Sequence, residues 1–199
     1  DATRNCTSEF SNGLIDDIRI YNRALSADEI YRLYKIGGTT KINTSRKDTL
    51  TDGLVGQWTF DVPDLSGTIA YDRSGQGNNG TLTNGPVQTI GKIGQGLLFD
   101  GTNDYLTMGD INNLDGLSAL SFSFWMKAVD DASETSFSQI ASDTGAVGLD
   151  GWQIELSTSV HASTPRTLVF SLRNTADGYI ASSISYPAAN YGTWHHITM

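Results

Sequence analysis

Cysteine is almost missing from this sequence. Cys6 is the single one among 199 residues, so no disulfide can close within the chain and a stapled mini-protein is excluded. Cys6 therefore reads as structural or incidental and leaves the redox compartment open. An unbroken apolar run of about 18 residues, the length a spanning helix requires, is also lacking, so no helical membrane insertion is expected. Basic residues are few. Lys and Arg number 13 against 22 Asp and Glu, a formal net charge of −9, and an acidic surface repels a phosphate backbone, which argues against nucleic acid as a partner. The chain carries no start methionine and no leader pattern, so any export signal is expected upstream.

Catalytic signatures are lacking as well. There is no G-x-S-x-G elbow, no phosphate-binding P-loop and no H-E-x-x-H pair. His195 and His196 are neighbours on a predicted strand, so they face opposite ways and cannot easily share one metal. His161 has no obvious partner. The acidic run Asp130-Asp131-Ala132-Ser133-Glu134 reads as a solvated loop.

What is present points to β-structure. Hydrophobic residues make up 38%, charged residues 18%, and glycine contributes 21 positions, a profile that suits many short strands and tight turns better than a helical bundle. In GLIDDIRIYNRAL, apolar and polar residues alternate, predicting a half-buried strand with Leu14, Ile18 and Ile20 on one face and Asp17, Arg19 and Tyr21 on the other. Ser26-Ala27-Asp28-Glu29 follows with the pattern of a capping box. Ile30, Leu33 and Tyr34 then fall on one helical face, and Gly37-Gly38 stops the helix. Residues 38–52 are polar and Thr-rich and read as a linker.

From Gly53 onward the sequence is a series of short strands separated by Gly, Asn and Asp. In GLVGQWTFD, Leu54, Gly56, Trp58 and Phe60 oppose Val55, Gln57 and Thr59. In SFSFWMK, Phe122, Phe124 and Met126 oppose Ser121, Ser123, Trp125 and Lys127, predicting a central strand with one face in the core.

Taken together, these segments resemble laminin-G-like modules of the concanavalin A-like lectin/glucanase superfamily. GLIDDIRIYNRALSADEIYRLY resembles the closing strand and terminal helix of such a module, and GLVGQWTFD its opening strand. YDRSGQGNNGTL, GKIGQGLLFDGTNDYLTM, LSFSFWMKA and GTWHHITM resemble its successive internal segments. The resemblance implies an all-β, antiparallel jelly-roll β-sandwich with one short helix near the N-terminus. The module's ending stands ahead of its beginning, so the expected organisation is a tandem-module fragment. Residues 1–37 would close a preceding module, residues 38–52 would link, and residues 53–199 would form most of a second, truncated module. The truncated module would lack its closing strand, leaving an edge that residues 12–36 are the right type to fill. These residues are expected to dock there.

The same resemblance implies a structural Ca²⁺ near the joined first and last strands, at Asp17, Asp72, Asn78 and Asp100. Read from the residues alone, the Asp/Asn/Gly run 72–80 offers oxygens for a hard cation but serves equally as a set of turn formers. Trp58, Trp125 and Trp194 lie in strand segments and read as core. Trp152, Tyr179 and Tyr191 follow turns or lie in loop-like stretches, and are the candidates for stacking on a sugar face. Glycosidases of this superfold place their carboxylates in an E-x-D-x-E strand pattern, and the sequence has none; Glu155 stands alone in QIELS. The expectation is therefore a non-catalytic, secreted or cell-surface module that binds a glycan or an extracellular protein beside neighbouring modules of its own polypeptide. A structural spacer, or an accessory domain of a glycoside hydrolase or protease, is the alternative.

Overall fold

The computed structural model describes residues 10–37, 49–108, 111, 114, 117–129, 138–144, 151–157, 166–173, 179–187 and 190–199, with the side chains of 138–144, 151–153, 155, 157, 166, 172–173 and 179–180 left undescribed. Cys6, His161, the linker residues 38–48 and the acidic run 130–134 lie outside this set, as does the side chain of Glu155.

The described chain is almost wholly β. In order it forms β1 (Asn12–Tyr21), α1 (Ala27–Ile36), β2 (Leu54–Trp58), β3 (Leu65–Ser66), β4 (Ile69–Ala70), β5 (Gly80–Thr83), β6 (Val87–Ile90), β7 (Gln95–Asp100) and β8 (Tyr105–Thr107). Then follow β9 (Ser121–Ala128), β10 (Ser138–Thr144), β11 (Gly151–Ser157), β12 (Arg166–Arg173), β13 (Tyr179–Tyr186) and β14 (His195–Thr198). Every strand pairing is antiparallel. Among the described residues no helix is long and apolar enough to cross a membrane.

Three sheets result. The largest runs β14-β9-β1-β7-β6, with β2 also paired to β1; the others run β10-β11-β12-β13 and β3-β4-β5-β8. All three feed one core. Ile15, Ile20, Trp58, Leu97, Phe99, Phe122, Phe124 and Met126 from the first meet Ile154, Leu156, Leu168 and Tyr186 from the second and Ala70 and Leu82 from the third. Each side chain sealed in this way contributes about 1.5–3 kcal/mol of burial free energy. As the alternation of SFSFWMK requires, Phe122, Phe124 and Met126 face this core. Ser121, Ser123 and Trp125 are buried too, because a second layer covers the opposite face.

That layer is α1. Ser26 caps it, its Oγ accepting from the Glu29 amide while the Glu29 carboxylate accepts from the Ser26 amide. The Arg23 guanidinium grips the same carboxylate at 2.7 and 2.9 Å and donates to the carbonyls of Thr49 and Asp52, fastening the helix to the chain that enters β2. Leu33 is buried with Tyr21, Leu50 and Leu54, so the end of the linker is packed rather than free. Tyr34 differs from its expected place. One ring face stacks on Trp125 at 5.7 Å, yet the side chain stays 48% exposed. The helix ends at Gly37, where a Cβ would lie 2.6 Å from the Trp125 ring, so the close packing there calls for glycine.

The N-terminal strand occupies the interior of its sheet. Ile18–Tyr21 pair with β2, Asn12–Ile15 pair with β7, and β9 runs along the other edge. Asp16 lies opposite Trp125 and Arg19 opposite Ser123, so β1 carries one residue more than β9 across this step. This is a β-bulge, and Asp17 absorbs it with φ of 48°. The bulge corrects the predicted face: Ile15, rather than Leu14, joins Ile20 in the core. A second shift, between Ile20 and Tyr21, breaks the predicted alternation of β2, sending Val55 to the main core and Leu54 to the cluster beneath α1.

Candidate functional site

The bulge sets two carboxylates side by side where β1 exchanges β7 for β2. Asp16 is fully buried. Its Oδ2 accepts from the amides of Lys92 and Ile93 at 2.8 and 2.7 Å, while its Oδ1 has no partner. Burial pushes its carboxyl up to about 7, the two amides resisting and the neighbouring Asp17 adding to the rise. Asp17 is compensated. Arg19 donates to it from Nε and Nη2 at 3.3 and 3.2 Å, and Gln57 Nε2 lies 3.4 Å away. Beside this pair His196 bonds Ser123 Oγ through Nε2 at 2.9 Å and packs on Trp125 at 5.0 Å. Burial, with Arg19 adding and Asp17 opposing, drives its imidazole down to about 4. Of the two shifted groups, His196 lies against α1, its ring 6.2 Å from that of Tyr34, while Asp16 is tied to the β6–β7 turn. His195 turns the other way, to Thr193 and Tyr186.

Above this seam the helix presents a ledge. Tyr31, Tyr34 and Lys35 follow the spacing that places side chains side by side on a helix. Tyr31 is 58% exposed, and Lys35 Nζ lies 5.2 Å from the Tyr31 ring centre and 5.7 Å from that of Tyr34. Lys92, from the β6–β7 turn, sits 5.0 Å over the Trp125 ring on which Tyr34 stacks. Two aromatic faces and two ammonium groups thus share one rigid surface. The sequence signal for it was the i, i+3, i+4 spacing, hidden because Tyr34 also fits the helix's inner face.

The predicted cation ligands divide. Asp72 and Asn78 do meet, but on the outer edge of β2. Asp72 accepts from the amides of Gln57, Ser74 and Asn78 and from the Ser74 hydroxyl, at 2.7–3.0 Å, which occupies the four lone-pair positions of a carboxylate. Although burial works against ionisation, these donors hold its carboxyl below the usual range. Asn78 donates to the Val55 carbonyl and accepts from Trp58 Nε1. Asp17 touches the same Gln57. Asp100 pairs with Asn12, at the far end of β1, roughly 15 Å along the strand, and its Oδ1 accepts from the Thr102 amide. As arranged, the four do not form an oxygen cage. Among the described residues no three His, Cys, Asp or Glu are grouped to hold a metal.

The predicted ligand contacts also separate. Tyr191 packs against the core, its ring edge-on to Tyr186 at 5.4 Å. Trp152 lies on β11 opposite Asp143 and Leu172, and Tyr179 on β13 opposite Arg173, in neighbouring rungs at one end of the second sheet; their side chains are outside the described set. Trp58 and Trp125 are buried, Trp58 in the core and Trp125 beneath α1. Trp194 is half-buried. No protein-family profile, curated protein or solved structure matches this chain.

Proposed function

We propose that this chain is a non-catalytic extracellular binding module of jelly-roll sandwich design, recognising a glycan or another surface ligand within a larger secreted protein. The ledge of Tyr31, Tyr34 and Lys35, with Lys92 beside it, is the observation that carries this reading. Tyrosine rings stack on the apolar C–H face of a sugar, and ammonium groups donate to its hydroxyls or carboxylates. The support is rigid, since Tyr34 rests on Trp125 and the helix is clamped by Arg23 and Glu29, so little ordering entropy is lost on binding. Residues 1–37 are read as the end of one module serving the next, with neighbouring modules multiplying a weak single-site affinity.

A glycan array probed with the full chain tests the reading. The expected result is a set of hits that Tyr31→Ala/Tyr34→Ala abolishes while the melting temperature stays within a few degrees. An array without signal above background would favour the spacer. Hits that survive the double substitution would move the contact elsewhere.

A further inference from the structure

Two strand edges are finished in opposite ways. The outer edge of β2 is closed by the 72–78 loop: the Gln57 amide goes to Asp72, the Gln57 carbonyl receives the Arg73 amide, and the Val55 carbonyl receives the Asn78 side chain. β13 stands at the rim of the β10-β11-β12-β13 sheet with residues 181–185 all exposed. Its eight residues, YIASSISY, include no charge and no proline, the devices that ordinarily keep an edge from pairing. Ile184 lies opposite Leu168, which is fully buried in the core, yet Ile184 itself is 55% exposed. Among the described residues the core cover ends between these two strands.

We infer that β13 pairs with β13 of a second copy of this chain, antiparallel about a twofold axis at Ser182, making one continuous sheet across two protomers. The occupant follows from the strand's own pattern. A twofold perpendicular to the sheet keeps both inner faces on one side, so opposed residues must share parity. Centred on Ser182, it sets Ile184 opposite Ile180 of the partner subunit and Ala181 opposite Ser183 of the partner subunit. Around a Ser182 pair on the axis, Ser185 meets Tyr179 of the partner subunit at each end, and no like charges oppose each other, a condition that matters when a surface must complement itself. The chain is strongly acidic at −9, so a charge-free strand of eight is where two copies approach at least electrostatic cost. The pairing is closed, because the twofold consumes both β13 edges. β6, also at a rim, has only four residues.

Sedimentation equilibrium of the full chain across two decades of concentration tests this. The 21.5 kDa chain should double in mass with rising concentration. Ser182→Lys sets two ammonium groups face to face on the axis and should hold the protein at monomer mass, with an unchanged melt because the site is exposed. Ser182→Cys, in a Cys6→Ser background, should give a dimer cross-linked by a short bis-maleimide, since directly opposed residues have Cβ atoms about 4.5–5.5 Å apart, just past the reach of a disulfide. A wild type that stays monomeric, a Ser182→Lys protein that dimerises as the wild type does, or a Ser182→Cys protein that fails to cross-link would each overturn the proposal.

Discussion

The sheet built on β1 and the sheet ending in β13 are made of similar strands, yet they meet water very differently. In the first, one face of β9 is sealed by the main core and the other by α1, and the outer edge of β2 is covered by Asp72 and Asn78. In the second, the last strand has Ala181 to Ser185 exposed on both faces. The difference teaches that enclosure here comes from additions to the sheet rather than from the strands themselves. A helix and a hydrogen-bonded loop close one side; the other has neither among the described residues.

The contrast breaks most visibly in the core. Trp58 is fully buried in the main core, so Trp58→Ala is expected to cost about 3–5 kcal/mol in chemical denaturation. Ile184→Ala, on the open strand, should stay within about 1 kcal/mol. With both variants measured at concentrations where the chain is monomeric, equal costs would mean that β13 is covered within the single chain. A middle-sized effect belongs to the capped edge. Asp72→Ala strands the amides of Gln57, Ser74 and Asn78, and should cost about 1–3 kcal/mol by the same measurement. Because those donors already fill its lone pairs, calcium and EDTA should leave the melting temperature unchanged.

The smallest expected effect is the net response to pH, since a buried carboxyl and a half-buried imidazole oppose one another. Asp16 has its carboxyl raised from 3.8 to about 7, so its contribution is complete below pH 3.8 and is lost as pH rises toward 7. His196 is lowered from 6.5 to about 4, so its contribution is complete above pH 6.5 and is lost as pH falls toward 4. Between these limits the slopes offset. Asp16→Asn should remove one of them and leave a protein whose melting temperature climbs from pH 4 to 6.5, the gain being spread across that window. A flat profile in that variant would place His196 in contact with water.

Much of this was legible in local pattern. The capping box at Ser26, the stop at Gly37 and the two-faced strand 121–128 depend on residues a few positions apart, and periodicity reports such relations directly. The bulge at Asp16 and Asp17 was not read, although two adjacent acids inside an alternating strand are its trace. It arises because β1 must leave β7 and take up β2, strands distant in sequence, and no local window contains that exchange. For the same reason Leu14 was assigned Ile15's face. Asp72 and Asn78, two of the four expected cation ligands, do lie together, but the Asp72 carboxylate and the Asn78 side-chain NH2 serve β2's edge, a partner 15 or more residues away. The exposed half of α1 was obscured because Tyr34 satisfies both sides of the helix at once.

The place of β1 has a consequence for how the chain is made. Within this chain β1 precedes every strand it pairs with: β2 follows about thirty residues later, β7 later still, and its full-length neighbour β9 ends at residue 128. Until β9 is made, Ile15 and Ile20 have only part of the surface they join, so the sheet's centre waits on contacts distant in sequence, which are slow to form. The strand that sits in the middle of the sheet is thus completed only when the latest of its three neighbours arrives.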